Sequence, residues 1–68
     1  MGKMTTMERK IKQLMDAGWV KSPISNHMIS PGGDRRMSIL DIAQGRMATE
    51  PTPPYEFVEW QNWMVEHG

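Results

Sequence analysis

The sequence has no cysteine, which excludes both a disulfide framework and a thiolate zinc site. Proteins of a reducing compartment commonly share this absence. No stretch of the chain is apolar over the ~20 residues that a membrane-spanning helix needs. The first residues also lack the charged and then apolar pattern of a secretory leader. We therefore expect a cytoplasmic protein without a membrane-spanning segment.

Large aliphatic residues are scarce as well. Leu, Ile, Val and Phe together number eleven among 68 residues, a share that indicates disorder when the net charge is also high. Here the formal net charge is zero, and eight Met and three Trp replace the missing apolar volume. A core of this size supplies only roughly 3–5 kcal/mol. We therefore expect one small, methionine-rich domain over residues 1–68, stabilised by a partner or by a second copy of the chain.

Basic residues are missing from the last third of the chain. All eight Lys and Arg precede Met47, whereas residues 47–68 carry four acids and four of the five aromatic residues. The part before Met47 has a formal net charge of about +4, and the tail has about −4. This division predicts that the tail either covers the basic surface or binds a second partner. Both interpretations favour a binding protein over an enzyme.

The first predicted element is a helix from about residue 6 to 17. Thr5 and Glu8 form a capping-box pattern at its start. An apolar stripe follows at helical spacing, through Met7, Ile11, Leu14 and Met15. Gly18 suits the left-handed residue that ends many helices, and Trp19 can then fold back on Leu14.

A hairpin is predicted in the middle of the chain. Pro23 excludes helix after Trp19, and residues 31–34 (Pro-Gly-Gly-Asp) indicate a turn between the arms Asn26–Ser30 and Arg35–Ile39. Beyond it, Ile39, Ile42 and Ala43 recur at helical offsets, which favours one or two helical turns that end at Gly45. A longer strand through Ile42 is the alternative.

The tail is predicted to be a spacer followed by an amphipathic helix. Three prolines in residues 46–54 stiffen this connector toward polyproline II. Thr52 is the expected cap of a helix over about 54–66, whose apolar stripe consists of Phe57, Trp60 and Met64. The resulting fold class is α+β, with an N-terminal helix, a two- or three-stranded antiparallel sheet and a C-terminal helix (αβββα-like).

The residue types present exclude several kinds of chemistry. The only histidines are His27 and His67, and two distant imidazoles without a nearby carboxylate pair do not form a metal site. The sequence also lacks a Gly-x-Ser-x-Gly elbow and a glycine loop that leads into a helix. We therefore expect neither a metal ion nor another cofactor.

Four short features follow one another in this part of the chain: Gly18-Trp19, Ser25-Asn26-His27-Met28, a glycine-containing turn and Arg35-Arg36. Together they resemble the HicA-type toxins of toxin–antitoxin pairs. The resemblance covers roughly residues 7–40 and implies a fold similar to double-stranded-RNA-binding domains. Ser25 and His27 match the family's Gly-Ser-x-His stretch, although Ile24 stands in place of its Gly. The resemblance implies metal-independent cleavage of RNA, with His27 as the catalytic residue.

Two functional hypotheses follow from these patterns. The first is a small non-enzymatic inhibitor, adaptor or regulator that binds a protein through its acidic C-terminal helix, with the candidate residues Trp63, Trp60, Tyr55, Glu56 and Glu59. Because three helical residues span ~300°, the two Trp rings cannot both lie at the centre of one face. The second is a HicA-like RNA-binding protein or ribonuclease, with the candidate nucleic-acid contacts Lys10, Lys12, Lys21, Arg35 and Arg36.

Overall fold

The computed structural model describes residue 2 and residues 4–68. Over these residues the elements follow in the order α1 (Thr6–Asp16), β1 (Val20–Lys21), β2 (His27–Ile29), β3 (Arg35–Ser38), α2 (Ile39–Ala43), β4 (Glu50–Pro51) and α3 (Pro54–His67). The strands form one antiparallel sheet in the order β1-β2-β3-β4. The predicted α+β class, with a helix at each end and a sheet between, is confirmed. No helix in the described part of the chain is long and apolar enough to cross a membrane.

Local side-chain chemistry explains both ends of α1. Thr5 is the N-cap, and its Oγ1 accepts a hydrogen bond from the Glu8 N–H at 3.1 Å. At the other end Gly18 has a φ of 101°, and the Trp19 N–H donates to the Leu14 carbonyl at 2.9 Å. The Trp19 ring packs against the buried cluster that contains Leu14. Both predicted helix boundaries are therefore found where the capping residues place them.

The central hairpin has the predicted arms and turn. Met28 of β2 pairs with Met37 of β3, and the Ser30 N–H donates to the Arg35 carbonyl at 2.9 Å. The Ser30 Oγ donates to Asp34 Oδ1 at 3.1 Å, which fixes the turn between the strands. Strand β3 then passes directly into α2, so the short helix is confirmed and the longer strand through Ile42 is wrong.

The two faces of the sheet have different coverings. Met28 and Met37 belong to a buried cluster with Leu14 of α1 and Ile42 of α2. Because side chains alternate along a strand, Ile29 and its paired residue Arg36 lie on the opposite face. Ile29 is also fully buried, and Arg36 on that face pairs with Glu56 of α3. The N- and C-terminal helices therefore lie on opposite sides of the sheet.

The connector before α3 differs from its prediction. Glu50 and Pro51 form strand β4 and pair with Arg36 and Arg35, so residues 46–54 are not a free spacer. Pro51 is tolerated there because an edge strand leaves one side of its backbone unpaired. The prediction of Thr52 as the cap of the last helix is also wrong. The N-cap is Pro53, and the Thr52 N–H instead donates to the Asp34 carbonyl at 3.0 Å.

Helix α3 rests on the hairpin turn through two aromatic rings. Phe57 and Trp60 have ring centroids 5.5 Å apart, and both lie over Gly33. A Cβ atom at Gly33 would lie 2.6 Å from the Trp60 ring and 2.9 Å from the Phe57 ring. Gly33 also has a φ of 78°, in the left-handed region that other residues rarely adopt. The turn therefore needs glycine both for its backbone and for the approach of α3.

Gly33→Ala is expected to lower the free energy of unfolding by about 2–4 kcal/mol, because backbone strain and overpacking act together. Urea denaturation followed by Trp fluorescence would measure the loss. Gly32→Ala is the matched control, since the nearest atom to its Cβ would be the flexible Asp34 carboxylate at 3.3 Å. Equal losses in the two variants would contradict the close approach of α3 to Gly33.

Candidate functional site

A polar cluster lies between α3 and the sheet. We call it the Glu56 cluster, and its members are Ser22, Ser25, His27, Arg36, Glu50 and Glu56. The members come from the β1–β2 loop, from three strands or their ends, and from the first turn of α3. The cluster therefore forms only when the whole chain has folded.

Glu56 is the centre of the cluster. Its side chain is fully buried, and its carboxylate accepts hydrogen bonds from the Ser22 hydroxyl at 2.5 Å, from the Ser25 hydroxyl and from the Arg36 guanidinium. A buried charge is stable only when it is paired and hydrogen-bonded. Here a cation and two hydroxyl groups meet both requirements.

The β1–β2 loop positions the two serines. The Ser22 Oγ accepts the N–H groups of Ile24 and Ser25, each at 3.2 Å, which folds the loop around this hydroxyl. The Lys21 Nζ donates to the carbonyls of Ser22 and Ser25 at 3.0 and 2.7 Å. These contacts fix the loop conformation from which both hydroxyls reach Glu56.

A chain of polar contacts runs from Glu56 through Ser25, His27, Glu50 and Arg36 and returns to Glu56. His27 Nδ1 lies 2.9 Å from the Ser25 Oγ, and Nε2 lies 3.6 Å from a Glu50 carboxylate oxygen. The other Glu50 oxygen accepts from Arg36 Nη2 at 3.4 Å, and Arg36 returns to Glu56. Because the single hydroxyl hydrogen of Ser25 is donated to Glu56, Nδ1 of His27 must be the donor to Ser25. The five side chains thus form a closed ring.

Hydrogen bonds and charges in the ring shift the pKa values of Glu56 and Arg36. Burial alone would raise the pKa of Glu56, but the hydrogen bonds from Ser22, Ser25 and Arg36 and the charge of Arg36 outweigh it, so this pKa lies below its usual value. For Arg36, burial acts to lower the pKa, and the hydrogen bond and charge of Glu56 overcome it, so the pKa is raised. The pair is therefore ionised at neutral pH.

His27, the catalytic candidate, is one of the five side chains of this ring. Both of its ring nitrogens face other side chains of the cluster, and its side chain is 19 % exposed. Arg36, the cation of the same cluster, forms ion pairs with Glu50 and Glu56. The residues that matched the HicA stretch, Ser25 and His27, are thus in direct contact, but the chain's own acids occupy the groups that would meet a phosphate.

The five basic residues proposed for nucleic acid do not form one surface. Lys10 and Lys12 belong to α1, on the side of the sheet opposite Arg36. Lys12 is paired with Asp16 at 3.1 Å, and Arg35 donates to Thr49. Lys21 is bonded to its own loop, as described above. The structure therefore separates these side chains and uses most of them internally.

The five residues proposed for protein binding lie on different sides of α3. Tyr55 and Glu59 are exposed, Trp60 and Trp63 are half-buried, and Glu56 is fully buried. Glu56 was predicted as a contact for a partner protein, but its carboxylate is buried and points to Arg36. Trp60 lies on Gly33, whereas the ring of Trp63 stacks on His67 with centroids 4.3 Å apart.

Sequence reasoning did not find Ser22 or the pairing of Arg36 with Glu56. These residues are far apart in the chain, and no local spacing pattern links them. The one signal was the division of charge, which predicted that the acidic tail either covers the basic part or binds a second partner. Arg36 forms ion pairs with Glu50 and Glu56. At this one basic residue, therefore, the acidic tail does cover the basic part of the chain.

Comparison of the chain with protein-family models, with curated proteins and with solved structures gave no match. Over the described residues, no three His, Asp or Glu side chains converge as a metal site would require. The functional argument therefore depends on the geometry of α3 and of the cluster beneath it.

Proposed function

We propose that this protein is a small non-enzymatic adaptor or regulator that binds a partner protein through the outer face of α3. The outer face consists of Tyr55, Val58, Glu59, Asn62, Val65 and Glu66, with Trp63 at its edge. The observation that carries the proposal is the exposure of the apolar residues on this face. Val65 is 85 % exposed, Tyr55 66 % and Val58 50 %.

Both the position and the charge of this face support the proposal. Residues 55, 58, 62 and 65 repeat at helical offsets, so their side chains form one continuous stripe. The opposite side of α3, through Glu56 and Trp60, is held by the body of the protein. Glu59 and Glu66 border the apolar stripe, and no Lys or Arg follows Arg46. The complementary surface is an apolar groove with a basic rim.

RNA cleavage receives less support from the same geometry. A general base must reach a 2′-hydroxyl, and a nearby cation must be able to bind the phosphate. In the Glu56 cluster, His27 is turned toward Ser25 and Glu50, and Arg36 is bound by two carboxylates. The ribonuclease hypothesis would therefore require α3 to leave the sheet.

A pull-down from a native extract, with and without nuclease treatment, tests the proposal. The wild-type chain is expected to retain a protein, and Val65→Ser combined with Val58→Ser is expected to lose it while melting at the same temperature. Leu40→Ser is the matched control, because Leu40 of α2 is 65 % exposed but lies outside the stripe. Retention of the protein by the double variant, or a bound species that nuclease removes, would contradict the proposal.

A further inference from the structure

The inner side of α3 occupies a site that the rest of the chain builds. Three donors converge on one carboxylate, namely the hydroxyls of Ser22 and Ser25 and the guanidinium of Arg36. Ser22 is 2 % exposed, and the Arg36 side chain is 15 % exposed. All three donors belong to residues 22–36, outside the helix that supplies the carboxylate. We call them the carboxylate cradle.

Gly33 provides a second point of contact for α3, through its aromatic rings. Gly33 has no side chain, and the rings of Phe57 and Trp60 approach its Cα more closely than any Cβ would allow. The cradle thus binds the acid Glu56, and the turn at Gly33 contacts the aromatic residues one and four positions later, Phe57 and Trp60. Peptide-binding sites commonly combine a charged contact with a contact for apolar side chains.

Contacts with residues other than Glu56 also orient the cradle. The Ser22 hydroxyl is oriented by the N–H groups of Ile24 and Ser25, and Lys21 clamps the same loop. Arg36 is held from its other side by Glu50. A preorganised set of donors loses little conformational entropy when an acid binds. Removal of α3 would leave these donors directed at an open position.

We propose that the carboxylate cradle and Gly33 form a binding site for an acidic, aromatic helical segment of another protein, and that α3 is a tethered competitor which fills this site in the free chain. The required segment carries a carboxylate followed by aromatic residues at the next and the fourth positions, as in Glu56, Phe57 and Trp60. Tethering raises the local concentration of α3 to the order of mM. A partner segment therefore binds only if its affinity and concentration are high enough to displace α3. This site is separate from the outer face of α3 and does not depend on the function proposed for that face.

Opening the site by substitution provides the test. In the full chain with Glu56→Arg, the new cation faces Arg36, so α3 is expected to leave the cradle. The probe is a fluorescent peptide with the sequence of residues 53–68, and its binding is measured by fluorescence anisotropy. We expect saturable binding to the Glu56→Arg chain and affinity for the wild-type chain weaker by at least about tenfold, because its own helix occupies the site. The same peptide with Glu56→Gln should bind the open chain about tenfold more weakly.

A second variant keeps the test decisive if the first does not fold. Glu56→Ala leaves space for a small carboxylate between Ser22, Ser25 and Arg36. Because this variant is expected to be largely unfolded at room temperature, sodium formate should restore its helical circular dichroism signal by more than equimolar sodium chloride does, with no such difference for the wild type. Equal effects of the two salts would overturn the proposal. It would also be overturned if the folded Glu56→Arg chain failed to bind the peptide, or bound the Glu56→Gln peptide equally well, even if formate had its effect.

Discussion

Glu56→Ala is expected to lower the free energy of unfolding by about 3–5 kcal/mol, the usual cost of removing one partner from a buried ion pair. The loss arises because Arg36 would keep its charge under α3 while its closest carboxylate is gone. A domain of this length has roughly that much stability in total, so the variant is expected to be largely unfolded at room temperature. Circular dichroism and urea titration would measure the change.

Glu59→Ala is the matched control for this substitution. Glu59 lies on the same helix but is exposed, and its loss should change stability by no more than about 0.5 kcal/mol. Acid titration adds an independent check. Because the pKa of Glu56 is lowered on folding, its contribution is present above the unfolded pKa and is lost as pH falls through the folded pKa. Glu56→Gln should reduce this acid-side slope, and a slope equal to that of the wild type would rule out the assigned role of Glu56.

Trp60→Ala is expected to cost about 3–5 kcal/mol, because it removes the ring that joins α3 to Gly33 and Phe57 and leaves a cavity there. Trp63→Ala should change stability by less than about 1 kcal/mol, since it removes mainly a stacking contact with His67. The second substitution should instead weaken binding of the partner by about 2 kcal/mol or more, as interface anchors do. Thermal melts and a binding titration on both variants would separate the two roles.

An equal loss of stability in the two Trp variants would contradict this division of α3 into an inner and an outer side. Trp63 would then belong to the core, and the outer face would be reduced to its valines and Tyr55. A loss of binding without loss of stability for Trp63→Ala alone would support the proposed interface. The two rings are three residues apart on one helix, so each variant is a close control for the other.

Local patterns were enough to predict most of the secondary structure. Thr5 and Gly18 mark the ends of α1 because capping needs only groups within one helical turn. The turn at residues 31–34 and the passage from β3 into α2 depend on similarly short spacings. Strand β4 was not predicted, because Glu50 and Pro51 have little intrinsic preference for strand and are ordered by pairing with β3.

The sequence by itself determined the two terminal helices, the hairpin and the concentration of acids and aromatic rings in the tail, since each follows from residue types or from spacings of a few positions. Only the tertiary structure decided which side of α3 faces inward. It places Glu56 in the carboxylate cradle and Trp60 on Gly33, while Tyr55 and Val65 remain exposed. The physical reason is that a buried charge takes whichever partner the folded chain brings within reach, and Arg36 lies 20 residues away.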